Sequence, residues 1–174
     1  VDDIWETVKP IDDFTQDYPN NGDPASLKTE IQMFYNDRGV YIYARMYDDM
    51  PDQIQQRLSR RDDLENGFFD SSDWIMFQFD SRHDHQTAFC FAVNPSGILY
   101  DEMVYNDMDY DSDWNGIWDA ATSIDSLGWI VEIAIPFSNI PFNDSDVITW
   151  GMNLIRFIQR KYETVTWVTF PLEV

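Results

Sequence analysis

Short runs in which apolar and polar residues alternate recur along most of the chain, and this two-residue period constrains the fold most. In the run 73–80, Ile75, Phe77 and Phe79 fall on one side of a strand, whereas Trp74 and its alternate neighbours fall on the other. Further strands are predicted at 28–35, 40–47, 86–94, 98–105, 117–124, 128–135, 147–158 and 164–170.

Turn residues separate these runs and leave little room for helix. Residues 36–39 predict a hairpin that ends on a glycine, and residues 94–97 carry a Pro-Ser-Gly turn. One short helix is predicted at 51–59, with a single helical turn after Pro136. The polar stretch 12–25 is predicted to be a long surface loop. Together these features predict an all-β fold, a single-domain antiparallel β-sandwich of the jelly-roll type.

The charge of the chain excludes several classes of partner. The 174 residues carry a formal net charge of -21. Phosphate binding needs clusters of Lys and Arg, so nucleic acid and anionic membrane surfaces are disfavoured. No apolar run reaches the roughly 18 residues of a membrane-spanning helix, so no direct membrane insertion is predicted. The charge fits a neutral ligand, a cationic partner or calcium, and a solvated acidic surface is the alternative explanation.

The two chain ends predict a module cut from a longer protein. The sequence starts at Val1 without an initiating methionine and stops abruptly after a strand-like run. We therefore expect residues 1–174 to be one domain, monomeric and covalently part of a larger protein. Cys90 lies within an apolar strand run and cannot form an internal disulfide, so it is predicted to be an inert strand residue.

Several segments, in their order and spacing, resemble family 9 carbohydrate-binding modules across essentially the whole chain. These segments are 2–5, 28–31 followed by 39–44, 73–80, 91–97 and 128–137. Residues 60–63 and 113–118 resemble a subgroup found at the front of larger bacterial proteins of the outer-membrane β-barrel type. The resemblance implies a jelly-roll β-sandwich, structurally bound calcium, saccharide binding without catalysis, and an extracellular or cell-envelope location in a bacterium.

The sugar slot of that family is only partly matched by this sequence. The slot uses two Trp side chains as a clamp, with Glu, Arg and Gln as polar partners. The positions of those three polar partners fall on Met76, Ala92 and Ile155 here. The first clamp Trp falls near 69–70, and the second lies beyond Trp167. The resemblance therefore predicts the fold of this chain more completely than it predicts the sugar-binding residues.

The preferred candidate for carbohydrate binding lies around Trp74. Sugars stack their C–H faces on aromatic rings and hydrogen-bond to planar polar side chains. Trp74 and Gln78 share a strand face, and small residues on the neighbouring strand would leave a trough beside them. Phe68 and Phe69 would act as a lid or clamp. The alternative is that Trp74 covers a second apolar layer beneath the predicted helix 51–59.

Three further side chains complete the carbohydrate-binding candidates. Trp114 lies in an acidic loop and would be an exposed stacking platform. Trp118 opens a strand, and a place in the core is its alternative. Arg156, within the run 147–158, is included as a polar candidate. Another aromatic strand face, at 41–47, reads as an ordinary sheet surface that contains an arginine.

An alternating run of aspartates is the preferred cation site. Asp107, Asp109, Asp111 and Asp113 offer hard oxygen ligands of the kind that calcium prefers, without the glycine and glutamate of an EF-hand. A solvated acidic loop is the alternative. Clusters at 62–73 and 2–3 are weaker candidates, and the two histidines at 83 and 85 are too few for a zinc site.

No catalytic motif stands out, so the sequence predicts that the chain is not an enzyme. We expect a carbohydrate-binding module that binds poly- or oligosaccharide and is stabilised by calcium. The alternative is a structural or protein-interaction β-sandwich of a larger bacterial envelope protein, with a degenerate sugar site.

Overall fold

Two antiparallel sheets pack face to face in the computed structural model, which describes residues 3–63, 67–106, 109–143 and 146–168. Seven strands form one sheet in the order β1-β11-β10-β4-β5-β6-β7, and four form the other in the order β2-β3-β9-β8. The strands are β1 (Thr15–Tyr18), β2 (Thr29–Tyr35), β3 (Gly39–Tyr47), β4 (Trp74–Asp80), β5 (Ala88–Val93), β6 (Leu99–Tyr105), β7 (Asp109–Asp111), β8 (Asp119–Asp125), β9 (Gly128–Pro136), β10 (Gly151–Ile158) and β11 (Glu163–Thr166). The all-β sandwich prediction is confirmed.

The core lies between the sheets and follows the predicted alternation. Ile75, Phe77 and Phe79 of β4 are buried there, facing apolar residues of β3 and β9. Burial of each such side chain contributes about 1.5–3 kcal/mol. The alternate residues of β4 point to the opposite side, which we call the outer face of the seven-stranded sheet. The two faces of β4 are therefore packed against different partners.

Helical structure in the described residues consists of short 3-10 turns at Asp3–Thr7, Pro51–Gln53, Phe137–Asn139 and Gln159–Lys161. The turn predicted after Pro136 is confirmed. None of the described helices has the length and apolar character needed to cross a bilayer.

The predicted helix 51–59 is wrong beyond its first turn. The backbone N–H groups of Gln55 and Arg57 are bonded to the side chains of Asp73 and Ser72, and the Gln55 carbonyl accepts from the Asp73 N–H at 2.9 Å. These bonds hold the segment alongside the start of β4, so its backbone groups are not available for a helix. Leu58, within this segment, is exposed.

Two strands lie where no strand was predicted. β1 falls within the predicted loop 12–25, and β7 falls within the acidic run proposed for calcium. Both are short and lie at the two edges of the seven-stranded sheet. Edge strands can be polar because one side of them faces water, so hydrophobic alternation does not reveal them.

Candidate functional site

The register of the seven-stranded sheet brings together the three positions that the family 9 resemblance assigns to the polar partners of the sugar slot. Met76 on β4 lies opposite Ile155 on β10 and opposite Ala92 on β5. Ala92 in turn lies opposite Tyr100 on β6. The three positions are cross-strand neighbours on the outer face, but an apolar row occupies them.

A loop fills the space above this row. Phe68 is 0% exposed, and its ring lies 4.9 Å from the Phe69 ring and 5.8 Å from the Tyr100 ring. Phe68, Met76, Cys90, Ala92 and Tyr100 form a second apolar cluster. We call this cluster, together with Phe69 and Trp74, the covered half of the outer face. The small side chains predicted to leave a trough make room instead for Phe68.

Trp74 takes part in the same packing. Its ring stacks 5.6 Å from the ring of Phe157 and meets the edge of Phe69 at 5.1 Å. Its Nε1–H donates to the Phe69 carbonyl at 3.2 Å. The second apolar layer that was the alternative for Trp74 is thus present, with loop residues above it in place of a helix. Phe68 is buried, and the Nε1–H of Trp74 is already hydrogen-bonded within the protein, so neither group is free to bind a ligand.

The polar groups inside the covered half are paired with each other. The Tyr100 hydroxyl donates to Glu102 Oε2 at 2.5 Å. Burial raises the pKa of Glu102, and burial together with the bond to Glu102 raises the pKa of Tyr100. Burial also raises the pKa of the Cys90 thiol to about 12, in keeping with an inert strand residue. These groups are not available to a ligand.

The other half of the outer face is open and forms a groove of about 460 Å³. We call it the open groove. Its lining residues are Gln78, Asp80, His85, Gln86, Thr87, Ala88, Val104, Tyr110, Gly151, Met152 and Asn153. This volume lies within the range of small-molecule sites in proteins.

The open groove combines amide side chains with one exposed aromatic ring. Gln78 and Asn153 lie directly opposite each other on β4 and β10. Tyr110, on the edge strand β7, lies opposite Val104 and is 61% exposed. Asn153 is held in place by the backbone of Val168, whose N–H donates to Asn153 Oδ1 at 3.1 Å. An aromatic platform and oriented amides are the groups that recognise sugars.

Of the sequence candidates that the structure describes, only Gln78 lines this groove. Tyr110 was missed because it lies inside the aspartate run, which directed attention to calcium. Asn153 was missed because its place beside Gln78 depends on the pairing of β4 with β10, strands that are more than 70 residues apart in the chain. The alternation within the run 147–158 does place Asn153 on the same face as Ile155.

Trp114 and Trp118 lie on the other side of the seven-stranded sheet. Trp118 is 3% exposed and meets the ring of Phe91 at 5.3 Å. Trp114 is half-buried against Phe89 and Phe91, at 5.2 and 5.8 Å. Because Phe89 and Phe91 point into the core, both tryptophans are packed away from the outer face. The exposed platform expected at Trp114 is not found.

Arg156 is buried between the two sheets and is 0% exposed. Its guanidinium donates to the carbonyls of Lys28 and Tyr47, at 3.0 and 2.9 Å, and to the Thr29 hydroxyl at 3.1 Å. Burial lowers its pKa to about 10, opposed by the charge of Asp73 and other nearby carboxylates. Arg156 therefore links the two sheets through hydrogen bonds, and a ligand cannot reach it.

No protein-family model matches the chain. An endo-1,4-beta-xylanase A of Thermoanaerobacterium saccharolyticum is 24% identical over 175 residues, which cover 96% of this chain and 13% of the xylanase. A Bacteroides uniformis protein that has been suggested to bind carbohydrate superposes with a TM-score of 0.72 at 12% identity, covering 97% of this chain and 81% of that one.

Two structures of a family 9 carbohydrate-binding module from Caldicellulosiruptor kristjanssonii also superpose, each at 16% identity. The complex with glucose has a TM-score of 0.64 and covers 96% of this chain and 78% of the module. The complex with cellotriose has a TM-score of 0.62, with 95% and 74% covered. The fold is that of the family 9 carbohydrate-binding modules. The resemblance predicted from the sequence segments is confirmed at the level of fold.

The calcium that the family 9 resemblance implies has no preformed set of ligands among the residues that the structure describes. Asp107 lies outside the described residues. Asp109 accepts from the Asn106 side chain at 3.2 Å, and Asp111 accepts from the Asp113 N–H at 3.1 Å. Asp109 and Asp111 lie along an extended strand, so their Cα atoms are about 7 Å apart. Among the described residues, no three His, Cys, Asp or Glu side chains converge as metal ligands.

Arginines neutralise the buried carboxylates of the cluster at 62–73 and its neighbours. Arg61 pairs with both Asp62 and Asp101, and the Gly116 N–H also donates to Asp101. Asp73 lies near Arg156, and burial raises the pKa of Asp73 to about 6. The carboxylates of Asp62 and Asp73 are therefore used in internal charge interactions and backbone bonds, which does not fit a calcium site.

A second cavity, of about 610 Å³, opens at one end of the family 9-like sandwich. Aromatic and aliphatic residues such as Phe34, Phe137, Phe142, Ile148 and Trp150 line it. It offers few polar groups to hydrogen-bond with sugar hydroxyls. The open groove is therefore the better candidate for a saccharide site.

Proposed function

We propose that the chain is a non-catalytic carbohydrate-binding domain whose saccharide ligand lies in the open groove. The observation that carries the proposal is that one open sheet face holds both an exposed ring, Tyr110, and the opposed amides of Gln78 and Asn153. The family 9 fold supports it, since modules of that fold are known in complex with glucose and cellotriose.

The geometry suggests how a sugar would bind. An oligosaccharide lying across the groove would place the C–H face of one pyranose unit on Tyr110. The hydroxyls of further units would reach Gln78, Gln86 and Asn153, because β4 and β10 lie three and four strands away from β7. An aromatic contact contributes about 1 kcal/mol, and each hydrogen bond a net 0.5–1.5 kcal/mol, roughly. One aromatic contact and three hydrogen bonds together contribute about 4 kcal/mol, which corresponds to a dissociation constant of about 1 mM. Binding of this strength suits a domain that holds a parent protein near a polymer.

Isothermal titration calorimetry with a panel of neutral and charged oligosaccharides tests the proposal. Tyr110→Ala should weaken binding about tenfold, and Gln78→Ala should weaken it by a smaller factor. Tyr35→Ala is the matched control, because Tyr35 is also an exposed strand tyrosine but lies on the other sheet. A folded protein that binds nothing in the panel, or a Tyr110→Ala variant that binds like the wild type, would overturn the proposal.

A structural or protein-interaction role is the second candidate. The covered half favours it, because Phe68 and Tyr100 fill the place of the family's sugar slot. The two candidates differ in the calorimetric experiment: a structural domain would give no heat with any saccharide, and its outer-face variants would change only stability.

The context of the chain is part of the proposal. We expect it to work within a larger extracellular or cell-envelope protein of a bacterium and to bind as a monomer. The matched xylanase is a much longer protein, of which this chain corresponds to 13%. Calcium binding by the run from Asp107 to Asp113 stays a prediction. If calcium binds there, EDTA should lower the melting temperature and added calcium should restore it. An unchanged melting temperature would contradict calcium binding.

A further inference from the structure

The described lining of the open groove has a single carboxylate and no ammonium or guanidinium group. Asp80 is the acidic residue among its described lining residues, none of which is Lys or Arg. His85 is the one basic side chain of the lining. A net charge of -21 on the whole chain adds a long-range field of the same sign as Asp80. The groove is thus electrostatically suited to a cation and unsuited to an anion.

Asp80 is held rigidly, and its carboxylate is accessible from the groove. The backbone N–H groups of Asp84 and His85 donate to Oδ1 and Oδ2, at 3.1 and 2.8 Å. Gly151 lies opposite Asp80 on β10. A Cβ at position 151 would lie 3.2 Å from the Asp80 Cβ and 3.5 Å from Oδ2, so the glycine leaves this side of the carboxylate open.

We propose that the open groove prefers saccharides with a protonated amino group, such as glucosamine units, over neutral sugars, and disfavours uronates and sulfated sugars. The inference rests on the proposed function and names the ligand class of that same site. An ammonium would donate to Asp80, whose oxygens each keep a lone pair beyond the backbone bonds. A sugar carboxylate or sulfate would instead meet Asp80 with like charge.

Calorimetry with three oligosaccharides of equal length tests the order of affinity at pH 6. Tetramers of glucosamine, of N-acetylglucosamine and of galacturonate provide the cationic, neutral and anionic probes. The glucosamine tetramer should bind about fivefold more tightly than the neutral one at low ionic strength. This advantage should disappear in 1 M NaCl, where charges are screened within about 3 Å. The galacturonate tetramer should bind more weakly than the neutral tetramer.

Paired variants attribute the preference to one side chain. Asp80→Asn should remove the glucosamine preference, so that the variant binds the cationic and the neutral tetramer with affinities equal within about twofold. Asp119→Asn removes the same charge from an exposed position on β8 of the other sheet, so it should keep the preference. If Asp80→Asn lowers the melting temperature too far for calorimetry, the salt dependence of the wild type supplies the test.

The outcomes separate this inference from the proposed function. Equal affinity for the neutral and cationic tetramers, or tight binding of galacturonate, overturns the charge preference and leaves saccharide binding intact. A preference that survives in Asp80→Asn overturns the role of Asp80. Absence of binding to all three tetramers by the folded protein overturns both proposals together.

Discussion

Replacing Phe68 with alanine distinguishes a structural plug from a sugar clamp. Phe68 is fully buried and touches the rings of Phe69 and Tyr100. Losing its burial costs about 1.5–3 kcal/mol, and its two aromatic contacts add about 0.5–1.5 kcal/mol each. Because the loop can partly collapse into the space, we expect a loss of about 3 kcal/mol, toward the lower end for Phe→Ala in cores.

Urea unfolding followed by tryptophan fluorescence measures this loss, and calorimetry on the same variant measures sugar binding. A loss of about 3 kcal/mol corresponds to a fall of roughly 6–12 °C in melting temperature for a domain of this size. Binding to the open groove should persist at temperatures where the variant is folded. Phe142→Ala is the control: Phe142 also has two aromatic neighbours, Phe137 and Trp150, but is exposed, so we expect about 1 kcal/mol.

One combination of results would contradict a purely structural role for Phe68. If Phe68→Ala lost less than about 1 kcal/mol and also lost saccharide binding, Phe68 would be contacting the ligand. The covered half would then open in solution, and the site would lie beside Trp74 as the sequence first indicated.

The remaining predictions concern buried ionisable groups. Arg156→Leu should cost about 3–5 kcal/mol in urea unfolding, because it leaves Asp73 without its cation, and adding Asp73→Asn should recover at least about 1 kcal/mol. No recovery in the double variant would contradict the coupling. Burial raises the folded-state pKa of Asp73 to about 6, above its unfolded value near 3.9, so the folded state binds this proton more tightly. The contribution of Asp73 to stability should therefore fall by about 2 kcal/mol as pH rises from 4 to 6, and wild type should show this slope relative to Asp73→Asn. Parallel pH profiles for the two proteins would contradict that assignment. Cys90, with its pKa raised to about 12 by burial, should react with Ellman's reagent at pH 8 only after unfolding, and rapid labelling of the native protein would refute its burial.

Much of the sheet structure could be predicted from local pattern. The alternation at Ile75, Phe77 and Phe79 correctly separated the core side of β4 from its outer side, because a strand with one face in the core must alternate. The edge strands β1 and β7 could not be found in this way, since neither carries an apolar face. The false helix at 51–59 had suitable spacing, but the side chains of Ser72 and Asp73 compete for its backbone.

The site was less predictable because it depends on contacts between distant segments. Nothing local to Phe68 indicates that its loop folds down over Ala92 and Tyr100. Arg156 has the polarity of a ligand-binding group, yet three acceptors on β2 and at the end of β3 hold it inside the sandwich. To predict the open groove, one must know the register between β4 and β10, and the alternation in the sequence does not determine that register.

A crystal structure of the protein with a bound oligosaccharide tests the central claim most directly. We predict one pyranose unit against Tyr110, the hydroxyl oxygens of a further unit of the same oligosaccharide within about 3.2 Å of the Gln78 and Asn153 amides, and Phe68 still buried. A sugar ring stacked on Trp74, with the Phe68 loop moved aside, would contradict the account.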